Sequence, residues 1–206
     1  MKVCIYTSVS QNIAGLAAVT VPNKFEYCLR HGYTLVAETV DYLQGVAKTA
    51  STVWSLLLTH DLVWTLDADA VITNMTIPIH TLDCIRPGVT VCEENIVEWN
   101  RINCGSVLWR KGWAANRILM QMSDARDHWM KEPGYWQTWM GRREDITVVP
   151  TRTFNSTAWT HPGNAGVEEP GCHWRDGDLV YHPCGVYPMG LRQEKVELVA
   201  KTKVRR

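Results

Sequence analysis

With 206 residues, 46% of them apolar and 20% charged, the chain has enough apolar side chain for one sizeable core and too much to stay disordered. Lys+Arg and Asp+Glu cancel at 21 each, so no overall charge draws it to nucleic acid or a membrane surface, and no apolar run is long enough to span a bilayer. Seven scattered Cys without a CxxC pair argue against a disulfide scaffold; with no charged-then-apolar leader after Met1, they predict reduced thiols in a cytosolic protein.

Val3–Tyr6 predicts a short opening strand. The polar stretch from Thr7 to Asn12 then reads as a loop at the carboxyl end of that strand, where an α/β sheet binds ligands. A helix is predicted from about Ala17, or from Pro22, to His31, with Gly32 just past its end and Arg30 and His31 in its last turn. Thr34–Ala37 is a second strand and Lys48–His60 a second helix. Lys48 sits near the helix start, where the dipole does not favour a cation, which suits either a solvated Lys or one reaching an anion. Later come strands at Val89–Cys92, Val107–Trp109, Ile146–Val149 and Leu179–Tyr181, a helix over Ala114–Trp129, and a short Trp-rich segment at Glu132–Met140. Residues 161–171, rich in Gly, Pro, Asn and Glu, read as a surface loop of lid length. The β-α-β alternation predicts an α/β fold with a mainly parallel central sheet and helices on both faces; no GxGxxG follows the first strand. Residues 1–190 read as one domain, followed by a basic tail over 191–206.

The stretch that carries chemistry is Val63–Asn74, VWTLDADAVITN. An apolar strand breaks into two carboxylates, Asp67 and Asp69, which belong where the strand runs out into a cleft, because burying two like charges is costly. In a strand, residues two apart point to the same side, so Asp67 and Asp69 are expected to aim together at one divalent cation, directly or through water. A plain strand-end Asp followed by a turn Asp is the alternative.

With these pieces in place, the chain resembles GT-A glycosyltransferases, and most of all family 34, which holds fungal α-galactosyltransferases and plant xyloglucan xylosyltransferases. The matching stretches are YCLRHGY (27–33), Lys48, WTLDADAVITN (64–74), NCGSVLWR (103–110), Gln137, VVPTRTFNS (148–156) and GDLVYHPCG (177–185), in the family's order. The resemblance implies a GT-A nucleotide-sugar-binding fold, with a nucleotide-binding half over about 1–75 and an acceptor half over about 76–190, a UDP-linked donor, Mn²⁺ (or Mg²⁺) and a glycan acceptor. It implies Asp69 and His182 as metal ligands, with Asp67 nearer the ribose and the metal's waters. Thr7 and Ser8 would lie against the nucleotide, Lys48 near the donor, Asn103 and Gly105 along the sugar, and Gln137 beside the anomeric carbon. Two departures stand out. Trp136 occupies the place of an acidic residue before Gln137, and no Lys follows the His–Gly segment, so Arg192 or Lys195 would serve the diphosphate. The family's Golgi anchor is missing, which points to a bacterial or virus-encoded cytosolic enzyme.

Transfer with retention needs no strong base. Inversion would need one, for which Glu93, Glu94 and Asp178 are candidates. Trp136 and Trp139 could form an acceptor-side wall or simply core. Cys172, His173, His182 and Cys184 form a rival zinc set, though not at finger or ribbon spacing. Asn74-Met-Thr and Asn155-Ser-Thr match the glycosylation sequon, which is idle without secretion. Two other functions stay open: transfer to a modified DNA base, which the neutral charge disfavours, and a nucleotide-sugar-binding module without turnover.

Overall fold

The computed structural model describes residues 1–41, 45–94, 102–124, 133–157, 173–183, 189–202 and 204; for 133–136 it describes the backbone alone. A six-stranded sheet runs in the order β2-β1-β3-β6-β5-β7, formed by β1 (Val3–Val9), β2 (Thr34–Thr39), β3 (Leu62–Leu66), β5 (Gly88–Glu93), β6 (Ile102–Arg110) and β7 (Ile146–Val149). β1 pairs in parallel with β2 and β3, and β5 with β7, whereas β6 runs antiparallel to both its neighbours. The sheet is therefore mainly parallel with one reversed strand. A second sheet, not foreseen in the sequence, joins β4 (Val71–Ile72), β9 (Val180–His182) and β8 (Ser156–Thr157) in the order β4-β9-β8.

Strand alternation sorts the core. Val3, Ile5, Trp64 and Leu66 face one side with Tyr27 of helix α1 (Ala14–His31), while Cys4, Tyr6, Val63 and Trp109 face α2 (Gly45–Thr59) and α3 (Trp113–Asp124) on the other. A third cluster around Leu16, Val71 and Val196 holds α5 (Met189–Thr202) against α1 and β4. Helix α4 (Pro133–Gly141) packs beside β6.

Several expectations shift. β1 continues through Val9, so Thr7 and Ser8 belong to a strand rather than a loop. Pro22 lies within α1 on its exposed side, where water can serve the carbonyl the missing N–H leaves unpaired. Gly32 ends that helix at φ 68°, the left-handed conformation glycine adopts without strain. The strand expected at Val107–Trp109 begins at Ile102, so Asn103-Cys104-Gly105-Ser106 lies inside β6. The Trp-rich segment is helical as α4, and most of the supposed basic tail is α5. Residues 161–171 lie outside the described residues. Among the described residues, no helix is long and apolar enough to cross a membrane.

Candidate active site

A cleft of about 530 Å³ opens at the carboxyl ends of β1 and β3, where parallel α/β sheets place their ligands. Ser8, Ser10 and Asn12 line one part, Cys104, Val107 and Gln137 another, and Asp67, Asp69, His182 and Arg192 stand between. The two aspartates converge for a reason other than strand alternation. β3 ends at Leu66, and the Ala70 amide donates to the Asp67 carbonyl at 3.1 Å, closing a turn over residues 67–70. That turn brings Asp67 and Asp69 to His182 at the end of β9. His182 Nε2 lies 3.3 Å from Asp69 Oδ1 and 3.5 Å from Asp67 Oδ2, and one ligand atom from each residue falls within 4.8 Å of the others.

Gly105 makes this convergence possible. Val91 of β5 faces Val107, but Cys92 faces Asn103, so residues 104–106 swing out of the β5 ladder. The swing carries the Gly105 backbone under the site, where its carbonyl accepts from the Asp67 amide at 2.8 Å. A Cβ at Gly105 would stand 2.0 Å from His182 Cε1 and 3.0 Å from Asp67 Oδ2, so any side chain would occupy the space the ligand groups use.

The orientation of His182 is set by a relay of buried amides. Glu94 Oε2 accepts from Asn103 Nδ2 at 2.7 Å, and Asn103 Oδ1 accepts from the Gly105 amide at 2.9 Å. Asn103 therefore presents its oxygen to Asn155 Nδ2 at 2.8 Å, and Asn155 presents its own oxygen to His182 Nδ1 at 3.0 Å. The ring must donate from Nδ1, which turns Nε2 towards the aspartates in the manner of a metal-ligating imidazole. Burial opposes a charge on the ring, but Asp69 and then Asp67 outweigh it and raise the His182 pKa. Burial would also raise Asp69; the charge of His182 and then that of Arg192, whose Nη1 donates to Asp69 Oδ2 at 3.1 Å, hold it below the usual carboxylate range. Two carboxylates and one imidazole, oriented and separated in this way, fit a divalent cation. Asp67 is the open side of the set, its side chain 57% exposed against 7% for Asp69 and 3% for His182.

The other expected site residues divide. Ser8, Asn103, Gly105, Gln137 and Arg192 line the cleft. Gln137 is anchored there by donating from Nε2 to the Ile102 carbonyl. Thr7 is buried and points away from Ser8, as strand alternation requires, and does not line the cleft. Lys48 stands outside it, paired with Glu38 at 2.9 Å. Asp178 does not face the cleft either. Its carboxylate is committed to Arg152 (2.7 and 3.0 Å), Ser156 Oγ (2.8 Å) and the Arg175 amide (2.9 Å), and these partners hold its pKa down against the effect of burial. Glu93 does not line the cleft, and Glu94 serves Asn103. Trp139 packs into the α2–α3 core, with Arg143 over its ring at 4.9 Å. The side chain of Trp136, and Cys172 and Cys184 of the rival zinc set, lie outside the described residues. Both sequon asparagines are buried, so each is a structural residue.

Sequence reasoning missed Glu94 as an orienting group, and the polar inner face of α1, whose residues Thr20, Asn23 and Lys24 are buried beneath the Asp67–Ala70 turn. Their spacing of three and one, in phase with Leu16 and Tyr27, was the available signal.

No family model matches this chain, and it matches no curated protein. Solved structures do resemble it. A glycosyltransferase involved in the glycosylation of the major capsid of PBCV-1 superposes with a TM-score of 0.71 at 17% identity, over 97% of this chain and 100% of that one. The galactosyltransferase LgtC, in complex with donor and acceptor sugar analogs, gives 0.56 at 12% identity, over 98% and 97%. The glycosyltransferase GlyE of Streptococcus pneumoniae TIGR4 gives 0.56 at 12% identity, over 98% of this chain and 61% of that one. The chain thus has the α/β fold of glycosyltransferases of the GT-A kind.

Proposed function

We propose that this protein is a metal-dependent glycosyltransferase that moves a sugar, a hexose or pentose, from a UDP-linked donor to a glycan hydroxyl with retention of configuration. The observation that carries this reading is the convergence of Asp67, Asp69 and His182 on one point of the cleft, on a fold shared with glycosyltransferases. Asp67, Asp69 and His182 would hold Mn²⁺ or Mg²⁺. When bound, the cation neutralises the charge that builds on the departing diphosphate.

The chain's own groups divide the remaining work. Ser8, Ser10 and Asn12 offer hydrogen bonds to the nucleotide at the end of β1. Arg192 keeps a second positive charge beside Asp69, where it adds to the stabilisation of the leaving group. Asn103, Gly105 and Gln137 border the space for the sugar. Among the described residues lining the cleft, the carboxylates are those of Asp67 and Asp69, both turned to the cluster. Glu93, Glu94 and Asp178 are placed elsewhere, which favours attack on the face the diphosphate leaves, a course that needs no strong base.

Slow hydrolysis of donor tests the reading. Protein incubated with a panel of UDP- and GDP-sugars is expected to release diphosphate from one UDP-sugar with Mn²⁺ or Mg²⁺ but not with EDTA. Asp69→Ala and His182→Ala are each expected to abolish release while leaving the fold intact. Metal-dependent UDP-sugar binding without turnover under any acceptor would instead identify a binding module.

A further inference from the structure

Helix α1 carries a stripe of polar side chains into the core. Thr20, Asn23, Lys24, Tyr27 and His31 share one face of the helix, and the first four are buried. Each grips the backbone of the segment that leaves β3. Thr20 Oγ1 donates to the Ala68 carbonyl, Lys24 Nζ to Ala70 at 2.8 Å, and Asn23 Nδ2 to Ile72 at 3.0 Å, while Asn23 Oδ1 accepts from the Ile72 amide at 2.8 Å. Further along, His31 Nε2 donates to the Met75 carbonyl at 2.9 Å. Tyr27 Oη donates to Ile77 at 2.7 Å and accepts from the Ile79 amide at 2.7 Å.

An apolar helix face would hold α1 on the sheet without the desolvation cost that polar groups carry. Apolar contact, however, does not fix which backbone atom sits where. Bonds to the carbonyls of residues 68, 70 and 72 do, and Ala68 is the residue between the two aspartates. We propose that Thr20 and Asn23, with Lys24 between their targets, are positioning residues for the metal cluster. In this arrangement α1 is a template that holds the Asp67–Ala70 turn in the one conformation where both carboxylates reach His182. The inference rests on reading that cluster as a metal centre.

Thr20 gives the clean test, because removing Lys24 would also remove a titratable amine beside two carboxylates and change metal affinity directly. Mn²⁺ affinity would be measured by electron paramagnetic resonance on the full chain for wild type, Thr20→Val, Thr20→Ala, Thr20→Ser and Tyr27→Phe. Thr20→Val and Thr20→Ala are expected to weaken Mn²⁺ about tenfold, the scale of lost outer-shell support, and Thr20→Ser to restore it. Tyr27→Phe, on the same helix but beyond the turn, is expected to lower Tm without changing Mn²⁺ affinity. In metal-free protein, exchange of the Ala70 amide, which closes the turn on Asp67, is expected to quicken in Thr20→Val and not in Tyr27→Phe. Wild-type affinity in both hydroxyl-free variants, or an equal loss in Tyr27→Phe, would overturn the positioning role and leave the metal reading standing. Failure of the wild type to bind Mn²⁺ would overturn both.

Discussion

Lys24 is fully buried, and its ammonium donates to the Ala70 carbonyl directly under the acidic pair. Burial draws its pKa from an ordinary 10.5 to about 7, against the attraction of Asp69 and then Asp67. Between those two values the unfolded chain holds a proton that the folded chain has given up, so raising the pH through that window favours folding. In chelator, wild-type stability is therefore expected to rise relative to Lys24→Met between pH 7 and 9, with a slope of up to ~1.4 kcal/mol per pH unit. Denaturant titrations of both proteins across that range measure it, and parallel curves would show that Lys24 does not titrate there. At this scale the sequence was only partly legible. Asp67 and Asp69 stand out because two carboxylates with one residue between them interrupt an apolar run. Thr20, Asn23 and Lys24 do not, because polar residues on a helix ordinarily face water, and only the folded chain shows them turned inward. Asp178 misleads in the opposite way. Its place before His182 suggests a role in the cleft, but Arg152, distant in sequence, claims its carboxylate.

Among the elements, β6 does most to shape the site. Its departure from the β5 ladder after Asn103 puts a residue without a side chain against Asp67 and His182, and the same Asn103 passes the orientation of Glu94 on to Asn155. Gly105→Ala is expected to force His182 and Asp67 apart, reducing metal-dependent donor hydrolysis more than about tenfold, the scale of lost ligand support, with a smaller effect on secondary structure. Hydrolysis assays beside circular dichroism check this; full activity in the variant would mean the ring and the carboxylate can yield. Helix α5 plays the complementary part. Val196 and Val199 anchor it on α1 and β4, and that anchoring brings Arg192 to Asp69. Neither element was read in full from sequence: the strand expected at Val107–Trp109 is only the second half of β6, and α5 was not read as a helix. Asn-Cys-Gly-Ser has turn composition, which masked a strand paired on both sides, and the basic residues of KTKVRR masked the apolar stripe that precedes them. The parallel strands and α1 were legible because long periodic apolar runs and the glycine at the helix end are local signals.

Across the whole molecule, the cleft gathers groups from the start, middle and end of the chain: Ser8, Asp67 with Asp69, Gly105, Gln137, His182 and Arg192. The mainly parallel sheet sets this out, because strands pointing the same way bring their carboxyl ends, and the loops that follow, to one edge. The fold class followed from the alternation of strands and helices. The small β4-β9-β8 sheet, which carries His182 to that edge, did not: β9 was read as a strand at Leu179–Tyr181, but its partners β4 and β8, of two residues each, leave too little pattern to read. The central claim is that the cleft binds a nucleoside diphosphate through a cation held by Asp67, Asp69 and His182. Calorimetric titration of UDP with Mn²⁺ and with EDTA, into wild type and His182→Ala, tests it most directly. Binding is expected for the wild type with Mn²⁺ and in neither of the other conditions; UDP affinity that is the same with Mn²⁺ and with EDTA, or unchanged in His182→Ala, would contradict it.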